Sequence, residues 1–222
     1  MEKIVNAQNL FLGYKKEEPV IKGSSFSINR GEFVFLTGNS GSGKTTLIKS
    51  LYGGMRPKSG ILEVGGFNMM KIGGSKLREL RRKMGLVFQD YKLIEEWSIK
   101  KNVMLPLIIE GYSAAICEQQ SAKLLTHVKL THKAEAYPDE LSGGEQQRAA
   151  VARALVHSPL MIIADEPTGN LDDYSSEVVM DLLKTAYNCE ITVLIATHHI
   201  PNRFELPYKT LHIESGNIHE IS

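Results

Sequence analysis

Three short apolar runs along the chain predict strands that are buried in a sheet. Residues 33–36 (FVFL) stop at a glycine-rich turn, whereas residues 160–164 and 191–196 are continuously apolar and β-branched. Such runs are typical of strands that are covered on both faces of a parallel sheet. Two carboxylates follow the second run and two histidines follow the third. Because α/β proteins place ligand chemistry at the carboxyl ends of parallel strands, these polar residues are candidates for a site.

The remaining pattern predicts the other parts of the fold. Residues 45–51 have apolar side chains at helical spacing. Residues 3–35 and 58–67 are short alternating segments broken by glycine and proline, which favours a small antiparallel sheet. We therefore expect an α/β fold with a parallel-sheet core, an N-terminal antiparallel β subdomain and a helical subdomain inserted at about residues 90–155. We expect residues 1–222 to form one domain.

Composition narrows the classes of function. The 222 residues carry a formal charge of +1, so no basic surplus favours nucleic-acid binding. The two cysteines show neither paired nor metal-type spacing, which is consistent with a reducing compartment. The N-terminus lacks a signal-peptide pattern, and no apolar stretch approaches the ~20 residues of a spanning helix. If the protein works at a membrane, we expect another chain to hold it there.

The turn after the first run fits the phosphate-binding pattern GxxxxGK[ST] in full. Its residues are Gly38, Asn39, Ser40, Gly41, Ser42, Gly43, Lys44 and Thr45. The glycines let backbone N–H groups point at phosphate oxygens, and the helix N-terminus adds partial positive charge. Lys44 would reach the β- and γ-phosphates, and the Thr45 hydroxyl would bind Mg²⁺. A glycine-rich turn could mimic the pattern, but the predicted strand and helix on either side favour a nucleoside triphosphate site.

Polar residues at the strand ends supply the candidate chemistry. Asp165 would hold Mg²⁺ through water and Glu166 would deprotonate the attacking water, although alone they would indicate only a solvated strand end. Gln89 could reach Mg²⁺ and that water, or could be a simple loop residue, and the sequence leaves both open. His198 could donate a hydrogen bond to the γ-phosphate. The adjacent His199 raises the alternative of a metal site, but no further ligands stand at metal-site spacing.

Residues 141–146 (LSGGEQ) open a predicted helix that continues to Leu155. Ser142 and Glu145 fit an S-x-x-E capping box. Capping does not explain Gly143 and Gly144, because glycine weakens a helix. The two glycines make sense if backbone N–H groups must approach a phosphate closely.

Together these segments resemble the ATP-binding-cassette (ABC) ATPases over essentially the whole chain. The motifs follow the order of the family, with a phosphate loop, a Q-loop at Gln89, a signature at 141–145, a Walker B strand at 161–166, a D-loop at 169–172 and a switch histidine at His198. The resemblance implies a P-loop NTPase (RecA-like) core that hydrolyses ATP with Mg²⁺. It makes Glu166, His198 and Gln89 the catalytic residues, with Thr45, Gln89 and Asp165 as the metal ligands.

The resemblance also implies how ATP is held. Tyr14 would stack on adenine, or on guanine equally well, unless it is only a strand-edge tyrosine. Thr46 joins the phosphate loop as an ATP contact. Two chains would pair head to tail, so that each ATP lies between one phosphate loop and the signature of the other chain. The signature contacts are Leu141, Ser142, Gly143, Gly144 and Glu145, and the D-loop residues near the dimer axis are Asn170, Leu171 and Asp172.

The segment ADEPTGNLD at 164–172 is similar to the LolD, MacB and FtsE group, and segments such as LRRKMGLVFQD at 80–90 are most similar to FtsE. This resemblance implies an integral membrane partner of the FtsX type, a role in cell division through cell-wall hydrolases, and a position on the inner face of the bacterial cytoplasmic membrane. A lipoprotein-release or efflux permease of the LolC/E or MacB type is the alternative. Because the sequence ends soon after the switch strand, we expect no C-terminal regulatory domain like that of sugar or methionine importers.

Two features depart from the expected pattern. His199 replaces the aspartate that usually follows the switch histidine, so we expect hydrogen bonding at the interface to differ there. Residues 91–97 (YKLIEEW) differ from the FtsE pattern in the region that, by resemblance, borders the groove for the membrane partner. We keep Tyr91, Leu93 and Trp97 as candidate partner contacts. After a possible cap at Ser98, an apolar stripe of Ile99, Val103, Leu107 and Ile108 is predicted to form the core of the helical insertion. A soluble cassette for DNA repair or translation, and a nucleotide-binding module without catalysis, are the other classes of function.

Overall fold

The computed structural model describes residues 2–14, 18–201 and 203–221 of the chain. It contains two β-sheets and a group of helices that connects two strands of the larger sheet. The smaller sheet is antiparallel and has the strand order β2-β1-β4-β5. Its strands are β1 (Lys3–Leu12), β2 (Ile21–Asn29), β4 (Ser59–Val64) and β5 (Phe67–Asn68). The predicted antiparallel subdomain is thus confirmed, except that residues 33–35 belong to the larger sheet.

The larger sheet has six strands in the order β10-β9-β3-β8-β7-β6. They are β3 (Phe33–Gly38), β6 (Met84–Val87), β7 (Met161–Asp165), β8 (Thr192–Ala196), β9 (Lys209–Glu214) and β10 (Asn217–Ile221). The first five pair in parallel, and β10 runs antiparallel to β9. The three apolar runs form the central strands, as predicted. The hairpin of β9 and β10 at one edge is a part of the sheet that the sequence analysis did not predict.

The central strands are buried because both of their faces carry a hydrophobic core. In β3, Val34 and Leu36 pack toward the smaller sheet, whereas Phe33 and Phe35 pack toward the helices. Successive side chains of the strand point to opposite faces, and each face packs against a hydrophobic core instead of solvent. The strands are therefore apolar at every position, which explains the continuous apolar runs.

The helices complete the predicted α/β arrangement. They are α1 (Lys44–Leu51), α2 (Gly74–Arg82), α3 (Ile99–Glu110), α4 (Ala114–His127), α5 (Gly143–Leu155) and α6 (Asp173–Asn188). The helical insertion comprises α3, α4 and α5. Ser98 caps α3 by accepting a hydrogen bond from Lys101 N at 3.3 Å. Within the described residues, no helix combines the length and apolar character that crossing a bilayer requires.

The apolar stripe on α3 is only partly the core that the sequence predicts. Ile99, Val103 and Leu107 are buried, but Ile108 is 45% exposed. The prediction that Ile108 belongs to this core is therefore wrong. The reason is helical geometry, because positions 99, 103 and 107 are spaced four apart and share one face, and residue 108 lies about 100° around the helix from residue 107.

Candidate functional site

Residues from four strand ends meet in one cavity of about 410 Å³ at the carboxyl edge of the larger sheet. The loop from β3 to α1 forms one wall, and residues after β6, β7 and β8 form the others. The lining side chains and loop positions are Tyr14, Val20, Asn39, Ser40, Gly41, Ser42, Gly43, Lys44, Thr45, Thr46, Gln89, Asp165, Glu166 and His198. All except Val20 were predicted from the sequence as site residues. Sheet topology explains the convergence, because the carboxyl ends of parallel strands share one edge.

The glycine-rich loop has a backbone that only glycine tolerates at two positions. Gly38 and Gly43 have φ angles of 146° and 116°. A Cβ on Gly38 would lie 2.6 Å from Ile213 O, and one on Gly43 would lie 2.8 Å from Val20 Cγ1. The N-cap position of α1 is Gly43, which has no side chain to accept from the first backbone N–H groups, and within the described ranges no side-chain cap is formed there. Uncapped N–H groups at a helix N-terminus favour binding of an anion such as phosphate.

Lys44 places a buried cation inside this loop. Its side chain is 7% exposed, and Nζ donates hydrogen bonds to Gly38 O at 2.8 Å and to Asn39 O at 3.4 Å. Nζ also lies 3.8 Å from Glu166 Oε1. A buried ammonium group held mainly by carbonyl oxygens attracts an anion strongly, because little water screens it.

Thr45 and Asp165 together offer oxygen atoms to a divalent cation. Thr45 Oγ1 donates to Asp165 Oδ2 at 3.2 Å. Burial raises the pKa of Asp165, and the Thr45 hydrogen bond and the nearby Lys44 and Lys49 oppose that rise. In the described part of the chain, no cluster of three or more His, Cys, Asp or Glu side chains has the arrangement of a metal site. A Mg²⁺ ion here would therefore need further oxygen ligands, which nucleotide phosphates and water supply.

Glu166 stands in a strained conformation at the centre of the cavity. Its φ angle is 48°, in the left-handed region that costs a non-glycine residue about 1–3 kcal/mol. Its backbone N–H donates to Ala196 O at 2.9 Å, which ties the residue to β8. Among the residues that the structure describes, the buried oxygen Oε1 has no hydrogen-bond partner, although His198 Nε2 lies 3.3 Å away. Such an oxygen is available to accept a proton from water.

The other predicted residues surround this carboxylate. His198 Nδ1 lies 3.4 Å from Lys44 Nζ. The Gln89 amide lies beside the loop after Glu166, since a Cβ on Gly169 would be 3.8 Å from Gln89 Nε2. Tyr14 stands at the mouth with its ring 65% exposed, and Lys49 Nζ is 5.8 Å from the ring centroid.

The signature residues lie outside the cavity. Ser142 and Glu145 form the predicted capping box, in which Ser142 N donates to Glu145 Oε2 at 2.8 Å and Glu145 N donates to Ser142 Oγ at 3.3 Å. The hydrogen bond from Ser142 N lowers the pKa of Glu145. Neither Leu141 nor residues 142–145 line the cavity beside Lys44. In this conformation the signature is therefore not part of the phosphate cavity of its own chain.

Contacts within the chain give the two signature glycines a second role. A Cβ on Gly143 would lie 2.8 Å from Tyr91 Oη, and a Cβ on Gly144 would overlap Ser175 Oγ. Asp172 in the D-loop holds Ser175 by accepting from its N–H at 2.9 Å and its hydroxyl at 2.8 Å. The sequence analysis attributed the glycines to phosphate approach alone and missed this packing.

Two buried polar residues of α5 were also missed. Gln147 is 1% exposed and donates to Pro167 O at 2.8 Å, next to Glu166. Arg153 is buried and donates to the carbonyl groups of Tyr91 and Lys92. The available signal was a glutamine and an arginine embedded among alanine and valine in a helix that the sequence already predicted.

Comparisons with known proteins agree with this geometry. Residues 21–169 match the family described as ABC transporter. The chain is similar to the cell division ATP-binding proteins FtsE of Streptococcus pneumoniae (39% identity over 97% of this chain and 94% of the relative) and of Escherichia coli (37% identity over 97% of each). Its fold is similar to a solved dimeric structure of the ATP-binding cassette MJ0796 in a post-hydrolysis state bound to ADP and Pi. That structure has a TM-score of 0.88 and 33% identity, and the match covers 98% of this chain and 97% of MJ0796.

Proposed function

Because the chain belongs to the ABC transporter family and is an FtsE-like ATP hydrolase, we propose that it cleaves ATP in the cavity beside Lys44, with Glu166 as the general base. One observation carries this proposal: Lys44, the Thr45–Asp165 pair and the unpaired oxygen of Glu166 converge at the uncapped start of α1. Phosphate, metal and attacking water would then occupy adjacent positions. Residues 1–222 would act as one nucleotide-binding domain.

The phosphates of ATP would bind the residues 38–46 through backbone N–H groups and Lys44 Nζ. Tyr14 would stack on the base. The Thr45 hydroxyl would bind Mg²⁺ directly, with Asp165 acting through water and Gln89 completing the set. Held by these residues, Mg²⁺ would supply positive charge that offsets the negative charge of the phosphates during hydrolysis.

Glu166 would take a proton from the water that attacks the γ-phosphorus, and the bond from that phosphorus to the bridging oxygen would break. Gln89 would orient this water from the loop after β6. His198 would donate a hydrogen bond to a γ-phosphate oxygen as the phosphate departs. The 3.3 Å separation of His198 Nε2 and Glu166 Oε1 supports this arrangement, because both groups would face the same phosphate.

The chain forms a dimer and has a membrane permease as its partner. We infer that the dimer is head to tail, with residues 141–145 of one chain closing over ATP in the other. The position of the signature outside its own cavity supports this inference. Asn170, Leu171 and Asp172 would lie at the dimer axis. Asp172 accepts two hydrogen bonds from Ser175, and Ser175 lies beside Gly144 of the signature.

An FtsX-type integral membrane protein is the partner that we propose, with the chain bound at the cytoplasmic face of the membrane. A groove of about 410 Å³ between α2, β6 and α3 is the candidate docking surface. Its lining includes five apolar residues (Met84, Leu86, Phe88, Pro106, Ile109) and three arginines (Arg78, Arg81, Arg82), against one carboxylate, Glu110. This charge favours an acidic amphipathic segment of the partner.

The three candidate partner contacts named from the sequence do not line this groove. Tyr91 and Leu93 line a different cavity, whose lining includes four carboxylates. Trp97 lines neither cavity, and Lys101 Nζ lies 4.2 Å from its ring centroid. The involvement of these three residues in partner binding stays a prediction.

The catalytic proposal is tested with Glu166→Gln. We expect ATP hydrolysis to fall about 10²–10⁴-fold, because the amide cannot accept the proton, while ATP still binds and drives dimer formation in gel filtration. Glu190→Gln is the matched control, since Glu190 is exposed and has a similar left-handed φ of 64°. Normal hydrolysis by the Glu166 variant would show that another group is the base.

The partner is tested by co-purification from detergent-solubilised membranes. We expect an FtsX-like protein, and we expect Arg78→Glu with Arg82→Glu to weaken its recovery, whereas Lys123→Glu on α4 lies outside the groove and serves as control. Recovery of a lipoprotein-release permease without an FtsX-like protein would refute the proposed partner.

A further inference from the structure

The turn that follows Gln89 is held in an unusual conformation. Tyr91 and Lys92 are consecutive non-glycine residues with φ angles of 59° and 49°. The left-handed region is disfavoured for residues with a Cβ, and two in succession are rarer still. Such backbone persists only where the surroundings fix it, and it clusters at functional sites. The source of that constraint is on α5.

Arg153 supplies the constraint. Its side chain is buried, Nη1 donates to Lys92 O at 2.5 Å, and Nη2 donates to Tyr91 O at 2.7 Å. Burial lowers the pKa of Arg153 to about 10, with no opposing contribution from a carboxylate. Among the described residues no carboxylate forms an ion pair with this guanidinium group, so its hydrogen bonds to the two carbonyl groups offset part of the cost of burying it.

The turn reaches the phosphate cavity at one end and the signature at the other. Gln89, two residues before Tyr91, lines the cavity. The Tyr91 hydroxyl lies where a Cβ on Gly143 would come within 2.8 Å. Movement of this turn would therefore displace both the Gln89 amide and the surface that packs against the signature.

We propose that Arg153 is a positioning residue that fixes the Tyr91–Lys92 turn and thereby places the Gln89 amide at the phosphate site and the Tyr91 hydroxyl against Gly143. This inference rests on the proposed role of Gln89 in hydrolysis. Arg153 does not line the phosphate cavity, so its loss should disturb the hydrolytic step, through Gln89, far more than it disturbs ATP binding. The helix that carries the signature is then also the support of the loop that serves hydrolysis in the same chain.

The test compares Arg153→Met, which keeps an unbranched apolar stem and removes every donor, with Arg153→Lys, which keeps the positive charge but replaces the two-pronged guanidinium group by a single ammonium group. We expect kcat of the full chain to fall at least 10-fold for the methionine variant and by an intermediate factor for the lysine variant. The Kd of a fluorescent ATP analogue should stay within threefold. Arg56→Met is the control, because Arg56 also donates to a backbone carbonyl, Ile72 O at 3.2 Å, but outside this turn.

A second substitution separates positioning from general stability. Glycine adopts a left-handed φ without strain, so adding Lys92→Gly to Arg153→Met should raise kcat at least threefold over the single variant. A folded Arg153→Met chain with wild-type kcat would overturn the proposal, and so would a rise in Kd that matches the fall in kcat, or an absence of rescue. If Arg153→Met does not fold, the kcat and Kd of Arg153→Lys decide in the same way.

The proposed function and this inference can be refuted by different results. Wild-type hydrolysis by Gln89→Ala would remove the role of Gln89, whatever Arg153 does. Loss of hydrolysis in Glu166→Gln together with normal kcat in Arg153→Met would keep the proposed function and refute the role of Arg153.

Discussion

Replacing Gly144 with alanine tests the packing between the signature helix and the D-loop. Gly144 is buried in the first turn of α5, and a Cβ there would overlap Ser175 Oγ and lie 2.8 Å from Ser175 Cβ. Ser175 cannot turn away freely, because its hydroxyl and its N–H both donate to Asp172. The added methyl group must therefore displace one of the two helices.

The magnitude follows from two opposing effects. Alanine improves helix propensity by up to about 1 kcal/mol, less in a first turn than in a helix interior. Overpacking costs about 1–3 kcal/mol, and any loosening of the Ser175–Asp172 bond adds to it. We expect Gly144→Ala to lower the free energy of unfolding by about 1–2 kcal/mol, which for a chain of this size lowers Tm by about 2–8 °C.

Urea and thermal unfolding measure the effect, and a double-mutant cycle locates it. Ser175→Gly removes both clashing atoms, so the coupling between the two substitutions should be at least about 1 kcal/mol in favour of the double variant. Gly74→Ala is the control, because a Cβ at the start of α2 meets only Arg78 Nη1 at 3.7 Å. A Gly144→Ala chain as stable as wild type, or additive effects of the two substitutions, would refute the packing argument.

Three further predictions use other parts of the chain. Burial lowers the pKa of His157 below its usual 6.5, so protonation favours the unfolded state and the free energy of unfolding should fall as pH drops below 6.5. His157→Asn should therefore reduce the dependence of that free energy on pH between pH 7 and 5, measured by urea unfolding. An unchanged pH dependence would contradict this. Burial raises the pKa of Asp165, which means that its charged form is disfavoured in the folded chain, so Asp165→Asn should raise Tm of the nucleotide-free chain. Because Asp165 is a proposed Mg²⁺ ligand, the same substitution should remove the Mg²⁺ dependence of ATP binding, measured by calorimetry with and without EDTA. Ser142→Ala breaks the reciprocal bonds with Glu145 and should cost about 1 kcal/mol in urea unfolding, whereas an unchanged midpoint would show that the cap is redundant.

The parts of the fold that local sequence determines were predictable. Continuous apolar runs identified β3, β7 and β8, because strands covered on both faces must be apolar throughout. The phosphate loop and the capping box were predictable for a related reason. Each is a local structure in which the backbone conformation and the interacting residues lie within a few positions of one another.

The parts that depend on distant contacts were not predictable in the same way. The hairpin of β9 and β10 carries polar residues at alternate positions, because an edge of the sheet is only partly covered, so its pattern is weak. Arg153 reaches carbonyl groups 61 and 62 residues away in sequence, and no spacing rule relates them. The strained turn at Tyr91 and Lys92 is likewise invisible, since neither residue type indicates a positive φ.

The two explanations of the signature glycines can be separated with the same double variant. Phosphate approach requires an unobstructed backbone at Gly144 in the dimer, whereas packing requires space beside Ser175 in the monomer. Adding Ser175→Gly to Gly144→Ala restores the packing space in the monomer. The alanine methyl group still stands in the way of phosphate approach in the dimer. If the double variant regains stability but not ATP-driven dimerisation or hydrolysis, phosphate approach is a separate requirement for glycine. If it regains all three, packing against the D-loop is sufficient to explain Gly144, and the signature would then depend on Asp172 and Ser175 as much as on its own residues.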